Sequence, residues 1–177
     1  SNGSLFDYLH KQHKTLTEER TFYIIKDIAL GMTYLHGKRV LHCDLKSSNV
    51  LIDENWNVKL CDFGLSRINS NHKKGQARRV GTPHWMAPEI LRGEKYEFES
   101  DVYSFGMLVW ELLTGEIPYQ KYSPAQIIGL VGRDDNHQIQ MPKTDNQPMV
   151  DLFLMCTKRD PKLRPSFTKV VEFLEKH

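Results

Sequence analysis

Cysteine is scarce in this chain, and the three present, Cys43, Cys61 and Cys156, are odd in number and lack metal-ligand spacing. Reduced thiols in a cytosolic, intracellular protein are the expectation. Long apolar runs are missing too: none approaches the length of a membrane-spanning helix, and nothing at the start reads as a signal peptide. Charge of one sign is not in excess. Lys plus Arg at 24 against Asp plus Glu at 22 gives a formal +2, too small to imply a nucleic-acid or membrane partner. Repeats and low-complexity linkers are absent. So is an initial Met: the chain opens Ser1-Asn2-Gly3-Ser4-Leu5, and a fragment of a longer protein is expected.

What remains is an ordinary globular composition, 40% hydrophobic and 26% charged over 177 residues, enough to bury a core in one domain. Ser4 to His10 reads as a short helix. Thr17 suits the cap of a long one, with Glu18 and Glu19 favourable in its first turn. Phe22, Ile25, Ala29, Met32 and Leu35 keep a 3.6 period, and Gly37 suits a left-handed stop. Two short β segments follow, Val50 to Asp53 and Val58 to Cys61, around a hairpin-like turn at Glu54-Asn55-Trp56-Asn57. Ser100 suits the cap of a helix that is apolar nearly all round and ends at Gly115, which marks a central buried element. Met149, Leu152, Phe153 and Cys156 form one further stripe; Phe167, Val170, Val171 and Leu174 form another behind Ser166. These are packing faces.

The chemistry concentrates around the two β segments. His42-Cys43-Asp44-Leu45-Lys46-Ser47-Ser48-Asn49 and Asp62-Phe63-Gly64 place a carboxylate, an ammonium, a carboxamide and a second carboxylate on two short loops that strand ends could bring together. A third segment, Gly81-Thr82-Pro83-His84-Trp85-Met86-Ala87-Pro88-Glu89, comes next. One such Asp or Asn alone would more often cap a turn. At a background of about 5% per residue type, chance agreement of His42, Asp44, Lys46 and Asn49 together with Asp62, Phe63 and Gly64 is about one in a billion per starting position, so their joint spacing decides.

In these segments the chain resembles the eukaryotic protein kinases, specifically their C-terminal lobe. The likeness continues through Asp101-Val102-Tyr103-Ser104-Phe105-Gly106 and Arg159-Asp160-Pro161 to Arg164-Pro165, covering the chain from Gly3 to Leu174. It implies a mainly α fold: a kinase C-lobe helical bundle with short β-hairpins carrying the catalytic and magnesium loops. It implies a partial kinase domain over residues 1–177, from just after the hinge to the last helix, with the N-lobe absent.

The resemblance also assigns roles. Asp44 matches the catalytic aspartate that orients a substrate hydroxyl and accepts its proton; Lys46 matches the lysine facing the γ-phosphate. Asn49 and Asp62 match the magnesium ligands, hard oxygen donors suited to that cation. Leu51, with Val50 and Ile52, looks like the floor beneath the adenine. His42 and Phe63 look like lower members of the spine joining the two loops, and Gly64 completes the magnesium-loop motif. Asp101 would accept backbone N–H groups of the catalytic loop, and Glu89 with Arg164 would form the buried pair that braces the activation segment. Thr82 with Lys46 resembles serine/threonine kinases, and other details look like their tyrosine-kinase-like group. ATP and Mg2+ are the implied cofactors. Protein substrates with Ser or Thr are the implied partners, along with a missing N-lobe and further regulatory domains.

Two departures stand out. Cys43 occupies the position where most of the family has an Arg that pairs with a phosphorylated activation segment; a thiol cannot do so. Ser66, Ser70 and Thr82 are therefore regulatory candidates that would not act through this position. The second departure is that no Gly-rich phosphate loop and no strand lysine lie in these residues, so the fragment alone is expected to be inactive. A competing reading is a pseudokinase or truncated scaffold that binds protein partners without catalysis. Intact Asp44, Lys46, Asn49 and Asp62 favour the enzyme.

Overall fold

A computed structural model describes residues 3–62, the backbone of 67–68, and residues 82–177. Phe63, Gly64, Ser66 and Ser70 lie outside the described residues. The order is β1 (Gly3–Ser4), a π-helical turn (Asp7–Lys11), α1 (Glu18–Gly37), β2 (Val40–Leu41), a 3-10 turn (Ser47–Asn49), β3 (Val50–Ile52), β4 (Val58–Leu60) and β5 (Arg67–Ile68). A second 3-10 turn (Pro83–Trp85) leads to α2 (Pro88–Leu91), α3 (Phe98–Thr114), α4 (Pro124–Ile127), a π-helical extension (Ile128–Arg133), α5 (Gln147–Cys156), a last 3-10 turn (Pro161–Leu163) and α6 (Phe167–Leu174). The fold is mainly helical.

Thr17 caps α1 by accepting from the Arg20 amide at 3.2 Å. The buried stripe of α1 is wider than the five-residue pattern. Ile24 and Ile28 are buried beside Ile25, Ala29 and Met32, whereas Phe22 and Leu35 are only half-buried. Gly37 is not the left-handed stop. Lys38 N–H still donates to the carbonyls of Tyr34 and Leu35, so the helical ladder runs past the glycine. The reversal falls on Arg39, at φ 60.

The expected short helix is present over residues 5–11, but Ser4 is not part of it. Gly3 and Ser4 pair antiparallel with Ile52 and Leu51, so their backbone groups belong to a sheet. Ser4 Oγ then accepts from the Asp7 amide, and the chain winds into a helix only beyond it. β3 also pairs with β4, with Val50 opposite Leu60 and Ile52 opposite Val58. Val50 and Ile52 point into the core while Leu51 is 40% exposed on the other face, the two-residue alternation of a strand with one covered side. The intervening turn is held by Asp53, whose Oδ1 accepts from the amides of Asn55 and Asn57.

α3 is the spine of the molecule, buried from Ser100 to Leu112. Its cap is Glu97, one turn earlier than Ser100. Glu97 and Ser100 bond each other's backbone reciprocally, and the Ser100 hydroxyl also donates to Glu89 Oε1 at 3.2 Å. Gly115, at φ 69, ends the helix as its sequence position suggests. Gly106 is needed for packing: a Cβ there would lie 2.6 Å from Thr157 Cγ2 and 2.9 Å from Cys156 Cβ, where α5 crosses. α6 is capped by Ser166, whose Oγ accepts from the Lys169 amide, and it packs Phe167, Val170 and Leu174 toward α1.

Candidate active site

The segment between β2 and β3 is anchored from below by the first turn of α3. Asp101, 1% exposed, accepts the His42 amide on Oδ2 at 2.9 Å and the Cys43 amide on Oδ1 at 3.0 Å. His36, at the end of α1, brings its Nε2 to 2.9 Å from the same Oδ2. Cys43 sits in the left-handed region at φ 65, a strained choice for a residue with a side chain. Its peptide is fixed from both sides, because Tyr96 Oη donates to the Cys43 carbonyl at 2.9 Å. The kink turns the chain outward at Asp44. His42 itself is fully buried, and its Nδ1 accepts the Asp44 amide at 3.3 Å. Burial pushes its pKa below the usual imidazole value, so the ring is neutral.

Asp44, Lys46, Asn49 and Thr82 form one cluster. Asn49 Nδ2 donates to the Asp44 carbonyl at 2.8 Å and to Asp44 Oδ2 at 3.1 Å. Lys46 Nζ lies 3.5 Å from Asp44 Oδ2 and donates to Thr82 Oγ1 at 2.6 Å. Lys46 and Thr82 are 36 positions apart in the chain, so this contact joins two segments that are distant in sequence. Asp62 follows β4, exposed and at φ 65. The bond from Cys61 N–H to the Asn49 carbonyl, 3.0 Å, sets that strand end beside Asn49. Leu51 offers its exposed face on β3. Burial, and then the Asp62 charge, push the Cys61 thiol up, which disfavours the thiolate. Burial, and then the Lys46 charge, push the His84 imidazole down.

Further from the cluster, Arg164 grips Glu89 with two bonds, Nη1 to Oε1 at 2.6 Å and Nη2 to Oε2 at 2.9 Å. The same guanidinium donates to the carbonyls of Lys158, Glu99 and Arg159 and lies 5.0 Å from the Tyr103 ring. Burial pushes the Tyr103 hydroxyl up to about 12. A cavity of about 190 Å³ lies against α3 and α5, lined by Tyr103, Met107, Tyr119, Phe153 and Arg159 among others; it shares no residue with the Asp44 cluster.

Sequence reasoning missed several polar residues around the cluster. His36 and Tyr96 act on the Cys43 kink from distant positions, and no local pattern announces them. Glu111 was legible in principle: an acid in the run Val109-Trp110-Glu111-Leu112-Leu113 contradicts an all-apolar helix. It is fully buried and held by three donors.

A family model described as protein tyrosine and serine/threonine kinase matches residues 1–174, and the chain belongs to that family. Among curated proteins it is 40% identical over 176 residues to the probable serine/threonine-protein kinase SIS8 of Arabidopsis thaliana, covering 98% of this chain and 17% of that protein. It is 40% identical over 178 residues to the serine/threonine-protein kinase CTR1 of the same plant, with 98% and 22% covered. Against the probable serine/threonine-protein kinase drkC of Dictyostelium discoideum the identity is 42% over 177 residues, with 98% and 24% covered. The chain thus spans between 17% and 24% of the length of these relatives. It resembles serine/threonine kinases of the tyrosine-kinase-like group.

Proposed function

We propose that the protein carrying this segment transfers the γ-phosphoryl group of ATP to serine or threonine hydroxyls of protein substrates, and that residues 1–177 form the lower lobe of its kinase domain. The observation that carries this reading is Lys46 Nζ held between Asp44 Oδ2 and Thr82 Oγ1, beside Asn49. An acceptor hydroxyl bonded to Asp44 gives up its proton to that carboxylate as its oxygen bonds to phosphorus, while the bond from phosphorus to the ADP oxygen breaks. Lys46 places its positive charge where the transferring group's charge would lie. Thr82, tied to Lys46, resembles the serine/threonine kinases at this position, which supports a serine or threonine acceptor.

The donors present fit a magnesium ion. Asn49 Nδ2 is committed to Asp44, which leaves Oδ1 as the carboxamide atom for a cation, and Asp62 adds an exposed carboxylate. Both are hard oxygens, and a magnesium site completed by phosphates and water needs few protein ligands. When bound, the ion neutralises phosphate charge; Asn49 and Asp62 would hold it. Leu51, exposed above β3, would floor the adenine. Position 43 supplies no cation for a phosphorylated loop, because its side chain is a buried thiol, so control by phosphate at Ser66, Ser70 or Thr82 would not run through it. Three cysteines outside any disulfide fit an intracellular, cytoplasmic setting. Among the described residues no helix is long and apolar enough to cross a membrane.

Asp44→Asn in the full-length protein is expected to lower kcat about a thousandfold, measured as ADP release with a Ser/Thr peptide. Wild-type turnover no higher than that of Asp44→Asn overturns the reading in favour of a non-catalytic, partner-binding lobe. Phosphoamino-acid analysis of the product should return phosphoserine or phosphothreonine; phosphotyrosine would refute the acceptor class. The 177 residues alone should show no turnover above that of their Asp44→Asn form, since the phosphates would be held from one side only.

A further inference from the structure

The cavity against α3 and α5 takes no part in phosphoryl transfer as proposed. Its deepest lining is Met107 and Phe153, both buried, with the ring of Tyr103 beside them. One wall is the irregular segment that follows the π-helical extension, and bonds pin that segment at both ends. Arg159 Nε donates to Asp135 Oδ1 at 2.8 Å and its Nη1 to the Val131 carbonyl at 3.0 Å, while Trp110 Nε1 donates to the Gln140 carbonyl at 2.7 Å. His137 lies between those anchors and lines the cavity, its ring 5.7 Å from that of Tyr119. Its Nε2 is shielded from water and has no hydrogen-bond partner among the described residues. Met141 and Leu154 also line the cavity and are 44% and 40% exposed, so they mark its mouth.

We infer that this cavity is a binding site for a single phenol ring, which enters between Met141 and Leu154 and bonds His137 through its hydroxyl. Size sets the first limit. About 190 Å³ exceeds the ~150 Å³ that holds benzene in a protein interior and falls short of the ~300 Å³ at which drug-sized ligands begin. A nucleotide does not fit. The walls set the second limit: Tyr103, Tyr119 and Phe153 present rings, Met107 and Met141 present thioethers, and such groups favour a ring over an aliphatic chain. Charge sets the third. The Arg159 guanidinium is committed to Asp135 and to the carbonyls of Val131 and Gly132, and Lys158 is exposed, so a carboxylate inside would be desolvated without a buried counterion. A phenol is uncharged at neutral pH and avoids that cost. Its hydroxyl both donates and accepts, so it suits Nε2 in either tautomer, and the imidazole reaches it by a turn about χ2, a soft torsion. A water serves the nitrogen equally but leaves the ring-lined walls without contacts.

The ring can arrive as a free phenol or as a tyrosine side chain of a polypeptide, and p-cresol and N-acetyltyrosinamide separate the two. In the full-length protein with isotope-labelled methionine methyls, p-cresol should shift the NMR signals of Met107 and Met141 saturably, with a Kd of about a millimolar for a ligand of its size. Toluene, nearly the same shape without the hydroxyl, should bind about tenfold more weakly. In His137→Phe, which keeps a ring in the wall, that preference should vanish. Leu154→Trp fills the mouth from an exposed position and should abolish the shifts from both ligands. N-acetyltyrosinamide binding within about threefold of p-cresol assigns the ring to a tyrosyl chain, and no binding by it assigns the ring to a free phenol. Absence of a saturable methyl shift with p-cresol up to about ten times the expected Kd overturns the inference. So does toluene binding as tightly as p-cresol to wild type, a comparison that stands whether or not either variant folds. A p-cresol preference that survives in His137→Phe overturns it as well.

Discussion

Asp101 and Glu111 stand ten residues apart on α3, about 15 Å along its axis, and both hold the segment that carries Asp44, by different means. Asp101 takes backbone amides, those of His42 and Cys43. Glu111 takes side-chain donors from Ser47, Trp85 and His10. A clamp on amides fixes the path of the chain and is indifferent to which residues follow that path. A clamp on side chains fixes spacing between segments and works only with the right partners at both ends. The helix thus shapes the loop at its start and registers it against a distant segment near its end.

Glu89 offers an upper bound for this comparison, since its partner carries a full charge. Arg164→Leu leaves a buried carboxylate without its guanidinium and should cost about 3–5 kcal/mol in denaturant unfolding, the largest effect expected here. A loss under about 1 kcal/mol would mean that the three carboxylates are not comparable anchors. Next comes Asp101→Asn, which turns an amide N–H toward one of the backbone donors and should cost about 2–3 kcal/mol. If that variant instead keeps its stability and loses activity alone, the path of the kink is held elsewhere and the contrast with Glu111 breaks down.

The smallest effect concerns pH. His42 is held neutral by burial, with a pKa below 6.5 in the folded chain, whereas the unfolded chain takes up a proton near 6.5. Below that value the unfolded state binds more protons, so stability is full above about pH 6.5 and declines as the pH falls, by at most about 1.4 kcal/mol per pH unit from this group. His84 is shifted in the same direction and adds to the slope. Comparing thermal unfolding of wild type and His42→Asn between pH 7.5 and about 5 isolates the His42 share. Parallel curves would show that the ring is not the source.

Local signals were legible where one segment contains its own explanation. Thr17, Ser166 and Gly115 cap their helices as written, and the β3–β4 hairpin and the stripes of α5 and α6 follow their periods. The motif residues Asp44, Lys46, Asn49 and Thr82 come together in space. Legibility failed where a residue had two candidate partners. Gly37 looked like a stop, but the carbonyls behind it were still open to Lys38, and the turn passed to Arg39. Ser100 looked like a cap, but Glu97 took that place and the serine hydroxyl went to Glu89. Ser4 looked helical because its strand partner, Leu51, lies 47 residues further on. The partners of Glu111, unlike its odd place in an apolar run, were hidden because the three contacts span 26, 64 and 101 residues, and no window of sequence contains them.

The left-handed backbone at Cys43 and Asp62 has a consequence for how this surface can drift. Each of these residues adopts φ 65, the first just before Asp44 and the second at the exposed carboxylate itself. Glycine and asparagine enter that conformation readily, while valine, isoleucine and threonine are barred by their branched Cβ. The two kinks therefore act as a sieve on inherited change, admitting or rejecting newcomers by shape before any question of reactivity arises.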